Sequence, residues 1–187
     1  MKTKLLLSVF ILCLASASAF AFVDASLYGG YTTGGKFDGN SVKHKGDFRY
    51  GGLAHLNTSF LALLQFGLGG FFQMSSVTYG SSGTKNFTAD KTDIGIDAYA
   101  AFWVPFTPLS LYARGGSAAW NKIKFDGTSK TGNFEKHHAG CGLLFTVLPI
   151  PLFKLQLFSE YVRVFGKEGG KNSSEHQVNL GVRADLL

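Results

Sequence analysis

Cysteine is nearly absent from this sequence: Cys13 and Cys141 are the only two in 187 residues. Cys13 falls in a segment laid out as a cleaved leader. Cys141 then stands alone, and no internal disulfide framework can hold the remaining chain together. Long apolar runs are also missing. Beyond the leader no stretch reaches eighteen continuous apolar residues, which excludes helical membrane spans. Charge of one sign is scarce as well. Without Lys2 and Lys4 the chain keeps sixteen basic and twelve acidic residues, a surplus of four. That surplus is too small to call for a nucleic-acid partner.

The leader is read over residues 1–21. Lys2 and Lys4 precede the apolar core Leu5–Leu14, and Ala15-Ser16-Ala17-Ser18-Ala19 and Phe20-Ala21 follow. This is the order of a secretory signal peptide, with cleavage expected after Ala19 or Ala21. Ten apolar residues are too few to cross ~30 Å of hydrocarbon. Residues 22–187 are then one domain.

What the chain does hold is aromatic and glycine-rich. Eighteen residues are Phe and aromatics make up 14%, yet the mean hydropathy is only +0.12. Strands that carry apolar residues on alternate positions reconcile these values. Period two recurs eight times: Ala25–Gly34, Phe48–Thr58, Leu64–Ser75, Asp93–Val104, Leu109–Trp120, Lys136–Val147, Phe153–Phe165 and a last run ending at Leu186. The fourth is the clearest, with Ile94, Ile96, Ala98, Ala100 and Phe102 alternating with Asp93, Gly95, Asp97, Tyr99 and Ala101. In the seventh, Arg163 falls on the apolar phase.

The connections alternate in length. Long polar segments (Lys36–Asp47, Ser76–Lys91, Lys122–Glu135 and Lys167–Ser174) follow the odd strands, and short links follow the even ones. The long segments hold ten Lys and six acidic residues, and the rest of the mature chain holds six charges of each sign. An up-and-down barrel in an outer membrane has short periplasmic turns, long outer loops and both termini on the periplasmic side. The expected fold is therefore all-β, an eight-stranded antiparallel up-and-down transmembrane barrel.

Such a barrel turns its apolar face to lipid and fills its interior with the opposite set. That set includes Arg49, Asp97, Arg114 and Glu160, all near mid-strand. We expect them to form a polar network that plugs the interior, because isolated buried charges are too costly. Phe60, Tyr79, Phe106, Trp120 and Phe165 near strand ends suit the two lipid interfaces. Lys36, Lys43, Lys45, Lys85, Lys122, Lys124, Lys130 and Lys171 form a basic outer patch. It suits lipopolysaccharide phosphates or sulfated host glycans, with attraction that weakens in salt.

The C-terminus reads Gln177-Val178-Asn179-Leu180-Gly181-Val182-Arg183-Ala184-Asp185-Leu186-Leu187. It resembles the sorting signal of bacterial outer-membrane barrels, with Asn179, Gly181, Ala184 and Leu186 in the matching positions. It departs in ending on Leu rather than an aromatic and in carrying Ala184 where an aromatic is usual. From leader to terminus the chain resembles the OmpA/OmpX-like superfamily of small barrels. That resemblance implies outer-membrane lipid and lipopolysaccharide as surroundings and insertion by the barrel assembly machinery. It also implies a structural or adhesive role, with host surface molecules as partners. Alternatives are a narrow OmpW-like channel for small or apolar solutes, or a lipid A-modifying barrel enzyme.

Motifs for chemistry are weak. The deacylase string His-x-Ser-Asn is missing, and the nearest cluster is His55-Leu56-Asn57-Thr58-Ser59, whose histidine should face inward. His137 and His138 are adjacent strand residues and point to opposite faces, so they do not share a metal. Gly29-Gly30 and Gly34-Gly35 lack the helix and Lys-Ser/Thr pair of a phosphate cradle. We expect no cofactor, no metal and no enzymatic activity.

Overall fold

The computed structural model describes residues 22–37, 47–60, 63–79, 87–125, 128–132, 135–150, 153–168 and 171–186. Residues 1–21, read above as a leader, and the cleavage positions expected there lie outside this set. Nine strands are present among the described residues: β1 (Phe22–Phe37), β2 (Phe48–Phe60), β3 (Leu64–Tyr79), β4 (Phe87–Trp103), β5 (Leu109–Phe125), β6 (Thr128–Gly132), β7 (Lys136–Ile150), β8 (Phe153–Glu168) and β9 (Lys171–Leu186). Eight of them close a ring. Each pairs antiparallel with its neighbours; β1 joins β9, and β5 joins both β4 and β7. Closure matters because hydrocarbon offers backbone N–H and C=O groups no partner, and a ring leaves no edge unpaired at membrane depth.

The period-two pattern sorts side chains as a lipid-facing wall requires. Leu27, Leu56, Leu68, Ile96 and Leu180 are 62–69% exposed on the outer surface, while Arg49, Asp97 and Glu160 are 0–3% exposed inside. A water-soluble barrel would reverse this arrangement. Arg163, on the apolar phase, is exposed on the outer wall, and the free thiol of Cys141 faces outward too.

The interior is filled by cross-strand pairs of an aromatic and a glycine. Tyr28 lies opposite Gly51, Tyr99 opposite Gly67, Tyr112 opposite Gly142, Phe158 opposite Gly181 and Phe71 opposite Gly95. The glycine leaves its neighbour's ring space to lie flat across the sheet. A Cβ on Gly51 would fall 2.6 Å from Tyr28 Cζ, and one on Gly181 would fall 2.6 Å from Phe158 Cε1.

Two features correct the sequence reading. The strands run past their expected ends, so β4 and β5 each have seventeen residues, where ~9–11 tilted residues cross a membrane. The segment 122–135 is also no simple loop: β6 folds back on the outer part of β5, pairing Asn121 with Gly132 and Phe125 with Thr128. A register shift in the β4–β5 ladder pairs Ile94 with Trp120 and Gly95 with Ala118. The extra residue, Ala119, inverts the phase beyond it. Asn121 and Ile123 therefore turn inward and are buried, while Lys122 and Lys124 turn outward and are exposed.

At the short-turn end, Val104–Pro108 closes the β4–β5 link with Val104 N donating to Leu109 O at 3.0 Å. Phe106 takes the left-handed conformation (φ 64°) and is fully exposed, as expected of an aromatic in the lipid interface.

Gly181→Ala should lower the stability of the folded barrel by about 1–3 kcal/mol, because the added methyl overpacks a filled interior. The denaturant midpoint in detergent micelles measures it, and a midpoint equal to wild type would show that Phe158 has room to move.

Candidate functional site

The alternation that faces apolar residues to lipid sends every acidic residue outside the long polar segments into the lumen. Asp24, Asp93, Asp97, Glu160, Glu175 and Asp185 are all buried, together with Arg49, Lys91, Arg114, Lys136 and Arg183. Five cations thus face six carboxylates in a lumen screened from solvent, where an unpaired charge is costly. His55 and His138 each lie against a carboxylate.

Arg114 on β5 forms the centre. Its Nε and Nη2 donate to the two oxygens of Glu160 on β8 at 2.7 and 2.8 Å, and its Nη1 donates to Asp97 on β4 at 2.9 Å. The side-on fork to one carboxylate is the strong geometry of this pairing. Glu160 also accepts from Tyr112 Oη at 2.8 Å and Asn179 Nδ2 at 2.7 Å. Asp97 is held as well by His138 and by His55 Nε2 at 3.1 Å.

Toward the short-turn end, His55 Nδ1 meets Asp24 at 2.9 Å, and Asn57 donates to the other Asp24 oxygen at 2.6 Å. Arg183 lies 3.0 Å from Asp24, donates to Asp185 at 2.7 Å and stacks its guanidinium 4.3 Å above the Tyr99 ring. Toward the long-loop end, Lys136 bonds Asp93 at 2.6 Å and Lys91 bonds Glu175 at 2.7 Å. Lys91 belongs to a segment read from sequence as outer loop; it lies inside because β4 begins earlier than its pattern suggests.

Of the four residues named from sequence for the interior, Asp97, Arg114 and Glu160 come together. Arg49 on β2 is fully buried but stands apart, and its three guanidinium nitrogens have no hydrogen-bond partner among the described residues. Asp24, Asp93, Lys136, Glu175, Arg183 and Asp185 were not placed in that network, although the same alternation marks them as inward.

In the basic patch, Lys36, Lys122 and Lys124 are exposed on the outer ends of β1 and β5. Lys130 and Lys171 lie on β6 and β9. Lys43, Lys45 and Lys85 fall outside the described residues. In the C-terminal motif, Asn179 and Gly181 face inward, where Asn179 bonds Glu160 and Gly181 receives Phe158. Leu186 faces outward, and Ala184 shares its phase. His137 lies outside beside Phe165, while His138 lies inside on Asp97.

No protein-family model matches the sequence, and no curated protein matches it. Solved structures do. Neisserial surface protein A shares 16% identity over 87% of this chain and 95% of its own, with a TM-score of 0.53. The chain has the fold of a small eight-stranded outer-membrane barrel. Two further outer-membrane barrels of this kind are similar to it. One is Ail, the attachment invasion locus protein of Yersinia pestis, in complex with the heparin analogue sucrose octasulfate (20% identity, 87% and 98% coverage, TM-score 0.49). The other is the N-terminal barrel domain of Pseudomonas aeruginosa OprF (17% identity, 89% and 98% coverage, TM-score 0.46).

The barrel's ionic centre has a measurable signature. Arg114→Met should cost about 3–5 kcal/mol, because it strands two buried carboxylates. Arg49→Met removes a buried cation that has no bonded partner among the described residues, and should leave stability equal or higher. Parallel urea titrations of both variants in micelles check this. Equal losses would show that Arg49 is held as firmly as Arg114.

Proposed function

We propose that this protein is a closed outer-membrane barrel that works at its outer rim, binding anionic surface molecules through basic strand ends and loops. The observation that carries the reading is the continuation of the β3–β4–β5–β6 ladder beyond membrane depth. Pairing persists to Tyr79–Phe87 between β3 and β4, and β6 adds a further strand to β5 at Asn121–Phe125. This raised sheet displays Lys122 and Lys124 outward, and Lys36 is displayed on β1. Lysines in such positions suit the phosphates of lipopolysaccharide or the sulfates of host glycans. The partners expected from the resemblance, including the barrel assembly machinery acting on the last strand, belong to this same proposal.

The interior supports a role other than conduction. Arg114, Asp97 and Glu160 cross the lumen with Tyr99, Tyr112 and Phe158 packed beneath them. The interior also supports a role other than lipid chemistry. His55 is 4% exposed, and both ring nitrogens are engaged by carboxylates inside the wall, away from lipid.

Combined replacement of Lys36, Lys122 and Lys124 by Gln should weaken binding to immobilised heparin or to lipopolysaccharide. The loss should be ~5-fold or more at low salt and shrink as added salt shortens the screening length to about 8 Å. Equal binding by wild type and variant at both salt concentrations would end the proposal. In planar bilayers the wild-type barrel should give no stable current, and steady ion conductance would contradict the closed interior.

A further inference from the structure

The lumen is not filled along its whole length. Below the apolar layer formed by Tyr99, Tyr112, Leu144 and Phe158, the short-turn end opens into a cavity of about 220 Å³. This is below the ~300–1,000 Å³ of pockets for drug-sized ligands and suits a molecule of amino-acid or dipeptide size. Asp185, held from behind by Arg183, lines the cavity together with Trp103 and Lys154.

The polar groups around this cavity leave one another incompletely satisfied. Lys154 and Asp185 are direct cross-strand partners on β8 and β9. They form no ion pair; Lys154 Nζ instead sits 5.3 Å from the centre of the Trp103 ring. Asp185 uses one oxygen on Arg183 Nε at 2.7 Å, and its second oxygen has no bonded partner among the described residues. Gln156, only 5% exposed, donates through Nε2 to Thr146 Oγ1 at 3.2 Å. Its buried Oε1 has no donor. A buried amide oxygen without a donor costs about 1–3 kcal/mol, and a ligand N–H would remove that cost.

One wall of the cavity thus offers an unpaired ammonium, and beside it a carboxylate oxygen and an amide oxygen in need of donors. We propose that this vestibule binds a small zwitterion of amino-acid or dipeptide size. Its ammonium donates to Asp185 and Gln156 Oε1, its carboxylate accepts from Lys154, and its backbone lies against the Trp103 ring. An anion alone leaves Gln156 and Asp185 unsatisfied, and a cation alone leaves Lys154 on the indole. The site is separate from the outer rim and does not depend on the rim's partner.

The test uses the full mature barrel folded in detergent micelles, with glycylglycine as probe. The ¹⁵N–¹H resonance of the Trp103 indole reports binding, and that of Trp120 on the outer wall serves as reference. Glycylglycine should shift Trp103 and saturate, leaving Trp120 in place. N-acetylglycylglycine lacks the ammonium and glycylglycinamide lacks the carboxylate; each should bind at least ~10-fold more weakly, the ratio that corresponds to about 1.4 kcal/mol. In Lys154→Gln the difference between glycylglycine and its amide should vanish, while discrimination against the acetylated peptide remains. The proposal is overturned by a shift that stays linear without saturating, by equal binding of the blocked peptides, or by carboxylate selectivity that survives Lys154→Gln. The peptide series on wild type decides the matter even if the variant fails to fold.

Discussion

The closed backbone ladder in hydrocarbon is the constraint from which the rest of this molecule follows. Every rung at membrane depth must be paired, so the sheet must meet itself, as β1 and β9 do from Val23–Leu186 to Phe37–Ser173. Closing eight strands encloses a lumen barely wide enough for side chains. The outer face has to be apolar, and alternation commits the inner face to whatever remains. Polar residues inside this barrel are therefore a consequence of the wall. The charges survive there because each carboxylate meets a donor: Glu160 a guanidinium fork, Asp97 an arginine and two histidines, Asp24 a histidine, an amide and an arginine.

Glycine and aromatic residues divide the remaining space. The pairs Tyr28–Gly51, Tyr99–Gly67, Tyr112–Gly142 and Phe158–Gly181 place a ring over a residue without a side chain. This explains how a chain with twenty-four glycines, each of which weakens a strand by itself, sustains ladders of up to seventeen residues. Most inward glycines are seats for rings on the neighbouring strand. The tyrosine hydroxyls then join the ion network, as Tyr112 does on Glu160 at 2.8 Å.

The wall was legible in the sequence because a two-residue period is a local signal. Ile94 to Phe102 against Asp93 to Ala101 shows which side faces lipid, and Asp97 and Arg114 could be placed inside from that alone. Three things were less legible. Which charges meet depends on strands far apart in sequence, so nothing local distinguishes Arg114, which bonds two carboxylates, from Arg49, which bonds none among the described residues. The extra residue at Ala119 inverts the phase of β5, and from the pattern alone Ile123 and Lys122 exchange faces. The polar stretches around Lys91 and Lys130 read as loops because strands beyond the membrane no longer carry an apolar face. The vestibule left no pattern at all, since Trp103, Lys154 and Asp185 converge only when the ring closes.

The ties across the lumen are unequally distributed around the hoop. In ring order β4 and β9 stand opposite each other, and two braces span that diameter: Lys91–Glu175 near one end, and Arg183 against Tyr99 near the other. The perpendicular axis runs between β2 and β7. Among the described residues that axis is spanned only by relay, where His55 on β2 and His138 on β7 both bond Asp97 of β4. Lateral pressure from the surrounding bilayer would therefore meet an anisotropic cross-section, rigid along the braced diameter and more compliant along the other. The barrel would breathe as an ellipse with a fixed long or short axis, and not as a circle that swells evenly.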